Sequence, residues 1–94
     1  MEQGIESFLN FLKVERQVSV NTVAAYHNDL GQFVVFVREE VARRRLPGEL
    51  STIDRSIITE YILNLKERRY APATVARKVA AVKSLFGFLV NEGL

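Results

Sequence analysis

Few side chains in this 94-residue sequence have the type and spacing for covalent chemistry. Tyr26, Tyr61 and Tyr70 are its only tyrosines and His27 its only histidine, and it has no cysteine. A tyrosine hydroxyl serves as a nucleophile when neighbours activate it and an acid protonates the leaving oxygen. Tyr26 and Tyr61 fall on apolar helical stripes, and Tyr70, although Arg68 and Arg69 precede it, has no acid partner. His27 flanks an apolar face, which suits a structural histidine. Glu39 and Glu40 are sequence neighbours that a helix points in different directions, so they do not form an acid and base pair. The absence of cysteine excludes a disulfide framework, a thiolate metal site and cysteine-based catalysis. No glycine-rich phosphate loop and no metal-ligand spacing occurs. The sequence implies no cofactor, no metal and no catalytic residue of its own.

What remains is ionic. The net charge is only +2, but residues 1 to 42 carry three basic and six acidic side chains, and residues 43 to 94 carry ten basic and five acidic ones. Between 66 and 83, six basic residues (Lys66, Arg68, Arg69, Arg77, Lys78, Lys83) face Glu67 alone. Such a concentration attracts a polyanion. A solvated helix face would explain the same charges, and charge alone does not separate the two.

The elements that carry these residues read as helices. Ile5, Phe8, Leu9 and Leu12 share one face of a helix over roughly residues 4 to 16. Ser19 is an N-cap, with Val18 and Val23 placed to staple the start of a second helix. Val23, Tyr26, Leu30, Phe33, Val37 and Val41 then recur at steps of three and four, as far as the Arg43-Arg44-Arg45 cluster that suits a carboxyl end. Leu46-Pro47-Gly48-Glu49-Leu50-Ser51 reads as the one substantial loop. Asp54 caps a third helix with Ile57, Ile58, Tyr61, Ile62 and Leu65 inward, and Lys66, Arg68 and Arg69 compensate its dipole. Pro72 opens a fourth helix, whose apolar set is Val75, Val79, Val82, Phe86 and Leu89 before a stop at Gly93. The expected fold class is all-α, a compact four-helix orthogonal bundle in one domain over 1–94. Leu30, Phe33, Val79, Val82 and Phe86 should be nearly fully buried. No apolar run reaches the roughly 18–20 residues that cross a bilayer, and the acidic start lacks the basic region of a signal peptide, so the expected location is cytoplasmic and away from membranes.

The outward faces are unusual. Opposite its core stripe the second helix carries Asn21, Ala24, Ala25, Asn28 and Gln32, and the fourth carries Ala73, Ala80, Ala81 and Ser84, with Thr74, Arg77 and Lys83 around them. Small residues let a helix settle into a major groove while Arg, Lys and Thr reach phosphates or base edges. They equally let one helix dock on a protein partner, so a helical interaction module without DNA binding stands as the alternative.

Read in order, Ser19-Val20-Asn21-Thr22, Tyr26, Asp29-Leu30 and Phe33 match a Ser-x-Asn-Thr, Tyr, Asp-Leu, Phe pattern. The block from Thr74 through Arg77 and Lys83-Ser84-Leu85-Phe86 to Leu89 looks like a Thr-x-x-Arg followed by a basic-Ser-aromatic-Phe run. Both blocks resemble the amino-terminal core-binding (SAM-like) domain of tyrosine recombinases and phage-type, Xer-like integrases, and the resemblance spans nearly the whole chain. It implies a domain that forms one jaw of a clamp on the double-stranded DNA of a recombination half-site, with the second and fourth helices facing the major groove. By that resemblance Asn21, Thr22, Thr74, Arg77, Lys78, Lys83 and Ser84 contact DNA, while Tyr26, Leu30, Phe33, Val79, Phe86 and Leu89 stay in the core. The further implied partners are a carboxyl-terminal catalytic domain that the chain lacks and other recombinase protomers in a synaptic complex; the isolated domain is expected to be monomeric. Two positions depart from the pattern: Ala71 stands where serine usually caps before Pro72, and His27-Asn28 stand where arginine is frequent, both of which weaken the phosphate grip.

Overall fold

The computed structural model describes residues 2–46 and 53–93. Four α-helices and no strand occur among the described residues: α1 (Glu2–Val14), α2 (Val20–Arg44), α3 (Arg55–Glu67) and α4 (Pro72–Asn91). All of the expected loop except Leu46 lies outside the described residues.

Local chemistry sets the helix ends. The Ser19 hydroxyl accepts from the Thr22 amide at 3.2 Å and starts α2, and the Asp54 carboxylate accepts from the Ser56 and Ile57 amides and starts α3. Ala71 has an extended cap conformation but no side chain to offer, so α4 begins on Pro72 alone. Helix α1 stops at Val14, two residues before the expected end, because Gln17 turns left-handed (φ 51°) and the Val18 amide bonds back to Leu12 O. Arg45 and Arg69 (φ 56° and 62°) close α2 and α3 in the same way, all three without glycine. Gly93 (φ 72°) follows α4 in the conformation a stop glycine adopts.

Helices α2 and α4 form the middle of the molecule. Both pack on α1 and both pack on α3, whereas the backbones of α1 and α3 do not approach each other. The extents of 37 × 32 × 17 Å describe a slab about two helices thick, so α2 and α4 each keep an open side. Leu30, Phe33 and Val37 of α2 meet Ile57, Tyr61 and Leu65 of α3 and Val82, Leu85 and Leu89 of α4 in the core, and Ile5, Phe8 and Leu12 close it from α1. Phe33 is fully enclosed, with Tyr61 and Phe86 rings edge-on at 5.1 and 6.2 Å.

The buried stripe of α4 corrects the expected one. It runs Val75, Lys78, Val82, Leu85 and Leu89, with Ala81 beside it, and Val79 and Phe86 are only partly buried at its margin. The helix is rotated by about 40–50°, roughly half a position, relative to its apolar pattern. Lys78 draws that face inward, because its ammonium finds a carboxylate on α2. Tyr26 is likewise partly buried, edge-on to Phe8 at 5.7 Å.

Candidate nucleic-acid interface

On the open side of the slab, α2 and α4 enclose a groove of about 420 Å³ lined by Asn21, Thr22, Ala25, Tyr26 and Asp29 on one wall and Arg77, Ala80 and Ala81 on the other. Helical spacing puts the small residues there: Asn21, Ala25 and Asp29 lie four apart on α2, and Arg77, Ala80 and Ala81 lie three and four apart on α4. The two backbones leave a trough rather than a packed seam.

Its floor holds an ion cluster. Asp29, 3% exposed, accepts from Arg77 through both oxygens: Nε to Oδ2 and Nη2 to Oδ1, each 3.1 Å. The Lys78 ammonium, also buried, donates to Oδ1 at 2.9 Å. Burial pushes the Asp29 carboxyl up, but the hydrogen bonds from Arg77 and Lys78, backed by their positive charges, outweigh it and hold the group below its ordinary value of 3.8. The cluster carries one net positive charge, and Arg77, with its side chain 56% exposed, is its exposed member. Behind it, the Lys78 ammonium lies 5.3 Å from the centre of the Tyr70 ring, Arg68 lies over the same ring, and the Tyr70 hydroxyl accepts from Gln32 Nε2 at 3.2 Å. The cluster thereby joins α2, α4 and the turn between α3 and α4.

The sequence-predicted residues separate into groups. Asn21, Thr22 and Arg77 meet in the groove. The Thr22 hydroxyl also accepts from Ser19 Oγ at 2.9 Å, which ties it to the start of α2. Ser84 is exposed two turns along α4 from Arg77 on the same side; Lys83 is exposed but turned about 120° from Arg77, and Thr74 is half-buried; none of the three lines the groove. Lys78 is the correction. Buried against Asp29 and Tyr70, its ammonium has no free approach to a phosphate. Ala81, expected on the outward face, is 3% exposed and forms the groove's inner edge.

Asp29 is the residue that sequence reasoning missed. The signal was present: Asp29 sits three residues after Tyr26 and four before Phe33, and Lys78 sits three after Val75 and four before Val82. Opposite charges on the apolar edges of two helices that must pack imply a buried pair. Tyr61 is a second surprise. Its hydroxyl is buried without a partner, and burial pushes its pKa up to about 12. Among the described residues no group of acidic, histidine or cysteine side chains is arranged to hold a metal, and no helix is long and apolar enough to cross a membrane.

Four helices and no strand among the described residues, with the second and fourth flanking an open groove, define a small all-α domain of the SAM-like class. Residues 5–93 match the phage integrase, N-terminal SAM-like domain family, and the chain belongs to that family. It is 46% identical over 92 residues, 98% of its length, to a tyrosine recombinase XerC of Herpetosiphon aurantiacus, and 47% identical over 93 residues to a tyrosine recombinase XerC of a Roseiflexus species. A tyrosine recombinase XerD of Listeria monocytogenes is 36% identical over 93 residues. The chain spans 28% of the length of the first two relatives and 30% of the third. No solved structure matches it.

Proposed function

We propose that this domain grips the double-stranded DNA of a recombination half-site for a site-specific tyrosine recombinase, laying the open sides of α2 and α4 into the major groove. The observation that carries this reading is the trough between α2 and α4, where small residues allow close approach and a half-exposed Arg77 stands among them. Asn21, Thr22 and Arg77 act inside the trough, and Ser84, Lys83 and Thr74 extend the contact along α4. The names of the relatives support the recombinase assignment. Breaking and rejoining DNA belongs to the remainder of such a recombinase, and its catalytic domain and neighbouring protomers are the domain's protein partners. On this reading the domain works in the cytoplasm.

Titration of a short duplex with the chain at several salt concentrations tests the reading. Phosphate contacts release counterions, so affinity should fall steeply as salt rises. Arg77→Ala should weaken binding by about 1–3 kcal/mol. Arg69→Ala should do much less, since Arg69 closes α3 outside the trough. Affinity that ignores salt would favour a protein-docking module, and equal losses from the two variants would mean that DNA meets another surface.

A further inference from the structure

Three positive side chains in this domain have the same formal charge but unequal freedom. Lys78 is buried, Lys83 is exposed, and Arg77 is half-exposed with its guanidinium already held by a carboxylate. We infer that Arg77 is a specificity-determining residue that reads the edge of a guanine in the major groove, and that Asp29 is the positioning residue that aims it. The inference rests on the DNA-binding reading above.

A guanidinium has five N–H donors in one plane. Asp29 occupies two of them, on Nε and Nη2. The free donors on Nη1 and Nη2 form an end-on fork whose plane is set by the carboxylate. That carboxylate is itself fixed: its Oδ1 also accepts from Lys78, which is packed over Tyr70, which in turn accepts from Gln32. The fork therefore stands on a network through α2, α4 and the turn before α4, and the ordering entropy of a long side chain is lost before DNA arrives. A clamp of this kind suits direction more than attraction. Asp29 offsets the charge of Arg77 at the groove and repels a phosphate placed beside it, while the cluster's remaining positive charge is shared with the buried Lys78. A fork of two parallel donors matches the O6 and N7 acceptors of guanine, and Ala25 and Ala80 on either side leave room for the base edge to approach.

The test is selection from a pool of duplexes with a randomised segment, incubated with the chain at low salt, followed by sequencing of the bound fraction. Wild type should enrich one guanine position by roughly ten- to a hundred-fold over the other bases, the range of a bidentate arginine contact. Arg77→Lys keeps the charge but not the fork, and should bring enrichment at that position to background. Asp29→Asn combined with Lys78→Met, which leaves no unpaired buried charge, should do the same. In parallel titrations Arg77→Ala should leave the salt slope within a few tenths of wild type. A guanine preference that survives Arg77→Lys, or a slope lowered by about 0.9, the loss of one phosphate contact, would overturn the inference. A wild-type chain that binds DNA with no base preference overturns the inference alone, whereas one that binds no duplex removes the DNA-binding reading and the inference with it.

Discussion

Replacing Asp29 with alanine should be among the most damaging single changes available in this domain. The carboxylate is enclosed and serves two cations, whose exposures decide the magnitude. Arg77, with more than half of its side chain in solvent, can rehydrate, so its lost contact counts for about 0.2–1 kcal/mol, as for surface pairs. Lys78, with 5% of its side chain exposed, cannot. It would remain as an uncompensated buried ammonium, and breaking a buried pair from one side costs about 3–5 kcal/mol. The stability of a 94-residue domain is roughly 5–14 kcal/mol, so Asp29→Ala should remove from about a quarter to nearly all of it. Urea unfolding followed by far-ultraviolet circular dichroism measures this directly. Adding Lys78→Met should restore most of the loss, because an apolar side chain of similar length fills the site beside Tyr70 with no charge to strand. The pH dependence has a definite sign. The folded Asp29 carboxyl titrates below its unfolded value, so its stabilisation is fully present above about pH 4 and is lost as pH falls through the lower, folded value. The variant lacking Asp29 should lose that part of the acid sensitivity. A loss under 1 kcal/mol for Asp29→Ala, or no recovery in the double variant, would refute the assignment of Lys78 to the interior.

Phe33→Ala should cost about 3–5 kcal/mol in the same urea experiment, since Phe33 is fully enclosed against Tyr61 and Phe86; a midpoint near wild type would contradict the core assignment. Tyr61→Phe removes a buried hydroxyl that has no partner and should be neutral or raise stability by about 1 kcal/mol, whereas a clear loss would reveal a hydrogen bond at that oxygen. Ala71→Ser supplies an acceptor at a residue already in cap conformation (φ −59°, ψ 148°) and should stabilise α4 by about 0.5–2 kcal/mol, seen as a higher urea midpoint.

The helices were legible because their signals are local. Ser19 and Asp54 each form the cap that their position implies, and the α2 stripe of Leu30, Phe33 and Val37 is buried where a period of 3.6 places it. Two kinds of feature escaped. Gln17, Arg45 and Arg69 end helices in the left-handed region, where glycine is the usual sign, so the apolar pattern carries α1 two residues past its end at Val14. The rotation of α4 escaped because apolar patterning treats lysine as outward, and only the partner on another helix shows that Lys78 belongs inside. The same omission shaped the site. The charge of Arg77 is legible from its helix alone; that Asp29 holds two of its donors depends on the approach of two residues 48 positions apart in sequence.

The claim that DNA meets the open sides of α2 and α4 is tested most directly by heteronuclear NMR of the labelled chain during titration with a short duplex at low salt. The account predicts that amide resonances of Asn21, Thr22, Ala25, Arg77, Ala80 and Ser84 shift together and saturably, while those of Lys66, Arg69 and the α1 residues Glu6 and Asn10 stay nearly still. Shifts centred on Lys66 and Arg69, or on the α1 face, with the trough residues unmoved, would contradict it.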